Sequence, residues 1–228
     1  MAYTYLSLVN DVNNKMNEVP LSEGNFADAA GFYSDAKNAV NYAVDKINRV
    51  NWEWPWNHIT KELTLVVDQA RYEFEVDCKT INWNSFRIKG SVSGNVQTSA
   101  LWPKDYEDYV VENSDMEYRP TLHHAVPEVI VRTPELKFVV VPPPDRVYTL
   151  VYEYSALPVP LELWDDAPSV PQFFRNVIND GSFAQAFKFR GDGEMAADYD
   201  QKFQEGIENM RTIYTNRTEY VTATTRRK

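Results

Sequence analysis

The chain has 228 residues, 43% of them hydrophobic and 14% aromatic, and a formal net charge of −10. That length and apolar content support one large domain or two small ones with a real core, and they exclude disorder throughout. The acidity keeps a protein soluble and argues against wrapping nucleic acid, whose non-specific affinity comes mostly from Lys and Arg neutralising phosphates; it still suits a channel wall past which DNA slides without sticking.

Leu6, Val9, Val12 and Met16 recur at three- and four-residue spacing and predict a short amphipathic helix over 5–18, stopped by Pro20. A turn at Ser22 to Asn25 with a plausible N-cap follows. The period running from Phe26 through Ala29, Tyr33, Ala36, Val40, Val44 and Ile47 to Val50 then predicts a helix over 26–50. Such a helix is about 38 Å long at 1.5 Å per residue, enough to form a wall of a subunit. Pro55 breaks it inside a segment that holds Trp52, Trp54 and Trp56. Three indoles so close could form a sugar or cofactor platform, but their place at the change of period predicts a buried hinge between a helical and a β domain.

From Lys61 the period becomes two. Leu63, Leu65 and Val67, a turn at Asp68 to Ala70, then Tyr72, Phe74 and Val76 predict a hairpin. Ile81 and Trp83 fall out of phase with Phe86 and Ile88, which predicts a bulged strand, and Ser91 to Asn95 reads as a loop. Trp102-Pro103 looks like a helix start, with Pro at the first helical position and an end near Val111. After an irregular stretch over 113–128, strands are predicted at 129–132, 136–141 and 146–154, the last two separated by Pro142, Pro143 and Pro144. The triple proline could be a polyproline ligand; between two strands, a stiff loop is the better reading. The helical period returns with Phe173, Phe174, Val177, Ile178, Phe183 and Phe187, turns at Gly191 to Gly193, and continues through Tyr199, Phe203, Ile207 and Met210 to Tyr214. Beyond it, Arg217, Arg226, Arg227 and Lys228 stand against Glu219, so the final segment carries +3 and the rest −13.

Helical stripes at both ends are buried most simply against each other. The fold class expected is therefore α+β: a discontinuous helical domain from residues 1–58 and 156–214, an inserted antiparallel β-sandwich-like domain at 59–155, and a tail at 215–228 that cannot pack on its own subunit.

The search for chemistry returns little. Asp105 and Asp108 share a helix face and could be imagined as a glycosidase pair, although acidic residues in a first helical turn also simply complement the helix dipole. His58, His123 and His124 with Cys78 are in no ligand spacing, so neither metal nor cofactor is expected. Cys78, being alone, excludes an intrachain disulfide. No phosphate loop or nucleophile elbow appears. The start of the chain lacks a basic region followed by an apolar stretch, and no run of about 18 apolar residues exists, so neither signal-peptide export nor membrane spanning is expected.

The segment from Leu63 to Cys78, with Tyr72, Phe74 and Asp77 in place, Glu75 where a proline often stands and Cys78 where an aromatic stands, resembles the head-to-tail adaptors of short-tailed bacteriophages, the tail tubular protein A type of the podoviruses. So do the later strand at 148–154, the segment with Asp166, Pro168, Pro171 and Phe174, and the final helix pair. The resemblance implies a non-enzymatic virion protein, assembled in the host cytoplasm. It implies a ring of identical subunits, usually twelve, docked beneath the portal protein, extending the DNA channel and receiving the tail nozzle protein. Double-stranded DNA would pass without sequence-specific binding, no membrane is involved, and the tail with Arg217, Arg226, Arg227 and Lys228 would reach into the portal. The competing readings are a β-sandwich carbohydrate- or receptor-binding module with Trp52, Trp54 and Trp56 as platform, and a hydrolase using Asp105 and Asp108.

Overall fold

The computed structural model describes residues 3–50, 53–92, 95–112, 115, 124–135 and 137–214. The fold is α+β, and the chain divides into two compact units, Met1–Asn57 with Pro158–Lys228, and His58–Leu157. The expected tail at 215–228, together with Trp52 and His123, lies outside the described residues.

In the helical unit, α1 (Tyr5–Lys15) opens with a capping box in which Thr4 and Ser7 satisfy each other's backbone N–H groups. It ends at Lys15, short of the expected 18. Asn17 takes φ +57, and the N–H groups of Asn17 and Glu18 return to the carbonyls of Asn14 and Asn13. This is a Schellman ending with asparagine in the left-handed position, so Asn17 stops the helix before Pro20 is reached. The expected helix over 26–50 is shortened to α2 (Phe32–Val50), 19 residues or about 28 Å. Glu23–Asn25 makes one 3-10 turn, and Gly31 at φ +64 separates it from α2. Phe26 instead drops into the core, 2% exposed and edge-on to Tyr5 at 5.2 Å between ring centres. Its apolar spacing reflects an anchor, not a continued helix.

After Pro171, a 3-10 turn (Gln172–Phe174) leads into α4 (Arg175–Phe189), which packs against α1, α2 and α5 (Gly193–Tyr214). The α4 and α5 backbones approach closely. A Cβ on Gly181 would stand 2.8 Å from the Phe203 ring, and one on Gly206 2.9 Å from Val177. Phe203, Ile207 and Met210 of α5 thereby reach the core formed by Val9, Val12, Val40, Ile47 and Ile178.

The β unit holds two four-stranded sheets, ordered β1-β8-β3-β4 and β2-β7-β6-β5. Their ranges are β1 His58–Leu65, β2 Arg71–Glu73, β3 Cys78–Val92, β4 Asn95–Ala100, β5 Trp102–Lys104, β6 Val129–Arg132, β7 Lys137–Val141 and β8 Tyr148–Ala156. The expected hairpin of β1 with β2 does not form. β1 pairs with β8 and β2 with β7, so the intervening turn carries the chain from one sheet to the other. Asp68 at φ +65 bends the backbone there, and the Tyr72 hydroxyl accepts from the Val66 N–H at 2.9 Å while donating to the Gln69 carbonyl at 2.9 Å. The corner is thus closed by a side chain instead of a ladder.

The bulge in β3 lies where the phase break predicted it, with the register against β8 shifting between Asn82 and Arg87. In it Ser85 Oγ donates to the Asn82 carbonyl and accepts from the Glu153 N–H, replacing the lost ladder partner. The expected loop at 91–95 contracts, because β3 runs to Val92 and pairs with β4 from Asn95, a strand that lacked a clear alternation. The helix expected at Trp102-Pro103 begins later. Residues 102–104 form β5, parallel to β6, and the helix α3 spans Tyr106–Glu112. Proline fits there because β5 is an edge strand. The sheets are therefore antiparallel except at β5 and β6.

Alternation along β7 separates two cores. Phe138 and Val140 face the other sheet and meet Phe86, Leu150 and Tyr152; Val139 and Val141 join Tyr109 of α3 on the opposite face. The prolines between β7 and β8 form a packed loop. Pro143 and Pro144 are buried, and their carbonyls accept from the N–H groups of Ala125 and Asp68.

Candidate functional site

The segment 158–174 straps the helical unit together, and four positions singled out from the sequence lie on it. The Asp166 carboxylate accepts from the Glu162 and Leu163 N–H groups, both at 2.7 Å. The Asp166 and Trp164 carbonyls accept the Tyr5 and Leu6 N–H groups, which an α-helix start leaves without intrahelical partners. Pro168 is buried, and Pro171 caps the 3-10 turn that drops Phe174 into the core, 5% exposed. Two asparagines clasp backbone in the same manner. Asn41 holds both the N–H and the carbonyl of Leu161, at 2.9 and 3.0 Å, and Asn10 holds those of Leu21, at 2.7 and 2.8 Å. Arg175 and Asn179 both donate to the Asp11 carboxylate, tying α4 to α1.

At the exit of α2 the expected aromatic segment forms an ordered cluster. Pro55–Asn57 makes a 3-10 turn, and the Trp54 and Trp56 rings stack at 4.6 Å and 14°. Trp54 is 1% exposed, and its indole N–H donates to the Ile47 carbonyl at 2.7 Å, satisfying an end of α2. Trp56 is half-buried; its indole N–H and the Asn57 amide both donate to Asn48 Oδ1. The Tyr214 ring meets Trp54, Trp56 and Phe174 at 6.5, 5.4 and 5.8 Å. These ring partners all belong to the helical unit. They pin the residue from which 215–228 departs, a role for Tyr214 that its bare position at the end of an apolar stripe did not signal.

In the β unit, Tyr72 closes the corner described above, and Phe74 packs on Phe138 at 5.0 Å. Asp77 accepts from the Tyr154 hydroxyl at 3.1 Å. Burial first, and then the Asp77 carboxylate, push the Tyr154 hydroxyl well above its ordinary value; burial also takes Tyr152 up to about 12. Burial, with Asp77 and Glu75 adding to it, pushes the Cys78 thiol up to about 11, which disfavours the thiolate that a nucleophile or metal ligand needs. His124 pairs with Asp68 at 2.6 Å, and His58 lies 3.8 Å from Glu153. No cluster of metal-ligating side chains occurs among the described residues. Asp105 and Asp108 are exposed and line an open cleft of about 380 Å³ with Trp83, Pro103, Lys104 and Arg132. The two carboxylates therefore share the cleft with cationic groups.

Several large apolar side chains remain exposed on the helical unit. Phe173, Ile213, Phe189, Tyr42 and Tyr214 show 80, 58, 51, 44 and 39% of their surface. Tyr33, Phe187 and Tyr199 are partly covered, with Phe187 stacked on Tyr199 at 5.5 Å.

The sequence profile described as SU10 adaptor protein matches residues 3–227, nearly the whole chain. The chain belongs to this adaptor family. It is a phage structural adaptor, a virion component, and such adaptors work with portal and tail components. The comparison with curated proteins returned no match. Among the described residues, no helix is long and apolar enough to cross a membrane.

Proposed function

We propose that the protein is a head-to-tail adaptor of the tail tubular protein A kind in a short-tailed phage. Identical copies, twelve to match the portal, close into a ring beneath it, extend the DNA channel and receive the tail nozzle. The observation that carries this reading is the match of the adaptor family over residues 3–227, which takes in both helical segments, the β unit and the tail. Exposed Tyr42, Phe173, Phe189, Ile213 and Tyr214 support lateral contacts made by the helical unit, each interface burying more than about 1,000 Å². Ring closure requires each copy to present two different complementary faces.

The basic segment with Arg217, Arg226, Arg227 and Lys228 is the docking arm for the portal; Tyr214, the residue before it, lies edge-on to the stacked Trp54 and Trp56, which supports a fixed starting point for that arm. The rest of the chain, at −13, gives a wall that DNA passes without adhering. The test is to mix the purified protein with its portal ring and image the product. A continuous collar with one copy per portal subunit is the expected result, lost when residues 215–228 are removed. A protein that never joins portal or tail, yet cleaves a substrate, would overturn the reading.

A further inference from the structure

The open cleft of the β unit is made by residues distant in sequence: Trp83 of β3, Pro103 and Lys104 of β5, Asp105 and Asp108 at the start of α3, and Arg132 at the end of β6. Its aromatic wall is fixed. The Trp83 ring stacks on buried Phe86 at 5.5 Å and 18° and meets Phe74 edge-on at 5.8 Å, so little side-chain entropy is left to lose when a ligand lies against it. Of the charged groups, Lys104 is committed to Glu112 at 2.5 Å. The Asp105 and Asp108 carboxylates and the Arg132 guanidinium make no ion pair or side-chain hydrogen bond among the described residues, although all three line one cleft.

Two free acceptors and a forked donor beside a flat apolar wall restrict the ligand. A cationic segment would meet Arg132, and an anionic one would meet two carboxylates. A neutral polyhydroxyl ligand uses every group: hydroxyls donate to the carboxylates and accept from the guanidinium, while the C–H face of a sugar ring lies on the indole and Pro103. The volume of about 380 Å³ is at the small end of ligand sites, which run to about 300–1,000 Å³, and it suits one or two sugar rings. We propose that this cleft is a binding site for a neutral saccharide, giving the adaptor a weak contact with a glycan surface in addition to its assembly role.

The test titrates the full-length protein with neutral mono- and oligosaccharides of the glucose, galactose, mannose and N-acetylglucosamine series, at about 10 mM, enough to detect millimolar binding. The readout is the Trp83 indole N–H in nitrogen-edited NMR spectra. Binding is expected to shift and saturate that signal. Arg132→Ala, an exposed change that leaves the core intact, should weaken it about tenfold, as loss of a hydrogen bond to a charged group does; Asp105→Asn with Asp108→Asn should weaken it further. The proposal falls if no saccharide in the panel moves the Trp83 signal, or if Arg132→Ala binds as tightly as the parent. Tighter binding of an arginine-rich or glutamate-rich peptide at the same residues would also overturn it, making the cleft a protein-docking surface.

Discussion

The two units of this adaptor are held together by different means. In the β unit each strand satisfies its neighbours through the ladder, and the interior is an aromatic stack in which Phe86 and Tyr152 lie 5.0 Å apart at 5°, with Phe138 edge-on to both. Polar side chains there sit mostly outside, as Arg87 with Glu153 and Lys89 with Glu62 do. Among its described residues the helical unit has no ladder to join distant segments. It uses side chains and helix-start contacts in that role: the clasps of Asn41 and Asn10, the Asp166 and Trp164 carbonyls on the start of α1, the Trp54 indole and the Arg175 fork on Asp11. Helices close their own hydrogen bonds, so anything that ties one segment to another must come from caps, side chains and close packing. Removing a polar side chain should therefore hurt the helical unit far more than the β unit.

The largest effect is expected from Trp54→Ala. It empties the best-buried ring of the α2 exit and leaves the Ile47 carbonyl without its donor, and truncating a buried aromatic costs about 3–5 kcal/mol. Urea denaturation should show the helical signal melting first, and a shift confined to the β unit would break the contrast. Next comes Gly181→Ala. Alanine improves a helix interior by about 0.5–1 kcal/mol, but its Cβ would stand 2.8 Å from the fully buried Phe203 ring, and overpacking costs about 1–3 kcal/mol. A net loss of stability is expected, and a gain would show that α4 and α5 can separate freely.

The sharpest test pairs Asn41→Ala with Arg87→Ala. The first strips both backbone partners from Leu161 and should cost about 1–3 kcal/mol. The second removes a part-exposed ion pair and should cost less than about 1 kcal/mol. Equal losses in thermal denaturation would remove the distinction between the units. The smallest effect concerns Asp180, whose carboxyl is raised chiefly by burial and, less, by Asp198, against the pull of Lys202 and Lys15. A raised carboxyl makes the folded state bind its proton more tightly than the unfolded chain does, so the charged form penalises folding at neutral pH. Asp180→Asn should stabilise the protein slightly at pH 7, and the gain should vanish as pH falls below the ordinary Asp range, near 4. A variant less stable than the parent at pH 7 would assign the charge a favourable role.

Sequence alone determined the α+β class, the order of most elements and the bulge in β3, because apolar periodicity records locally which face of a helix or strand is buried; the resemblance to phage adaptors came instead from motif residues such as Tyr72, Phe74, Asp77 and Asp166. It placed Trp54, Phe174 and Asp166 at positions that the structure fills with specific hydrogen bonds and ring contacts, without indicating the partners. Only the tertiary structure decided that β1 joins β8 rather than β2, since alternation specifies a face and not a neighbour, and β1 takes the edge of the first sheet beside β8 while Tyr72 closes the corner toward the second. It also decided that Phe26 is an anchor before α2, because a left-handed Gly31 ends the helix that the pattern would continue. The cleft of Trp83 and Arg132 belongs to the same class. Its residues come from four elements, and no spacing in a chain can announce groups that meet only when two sheets and a helix have packed.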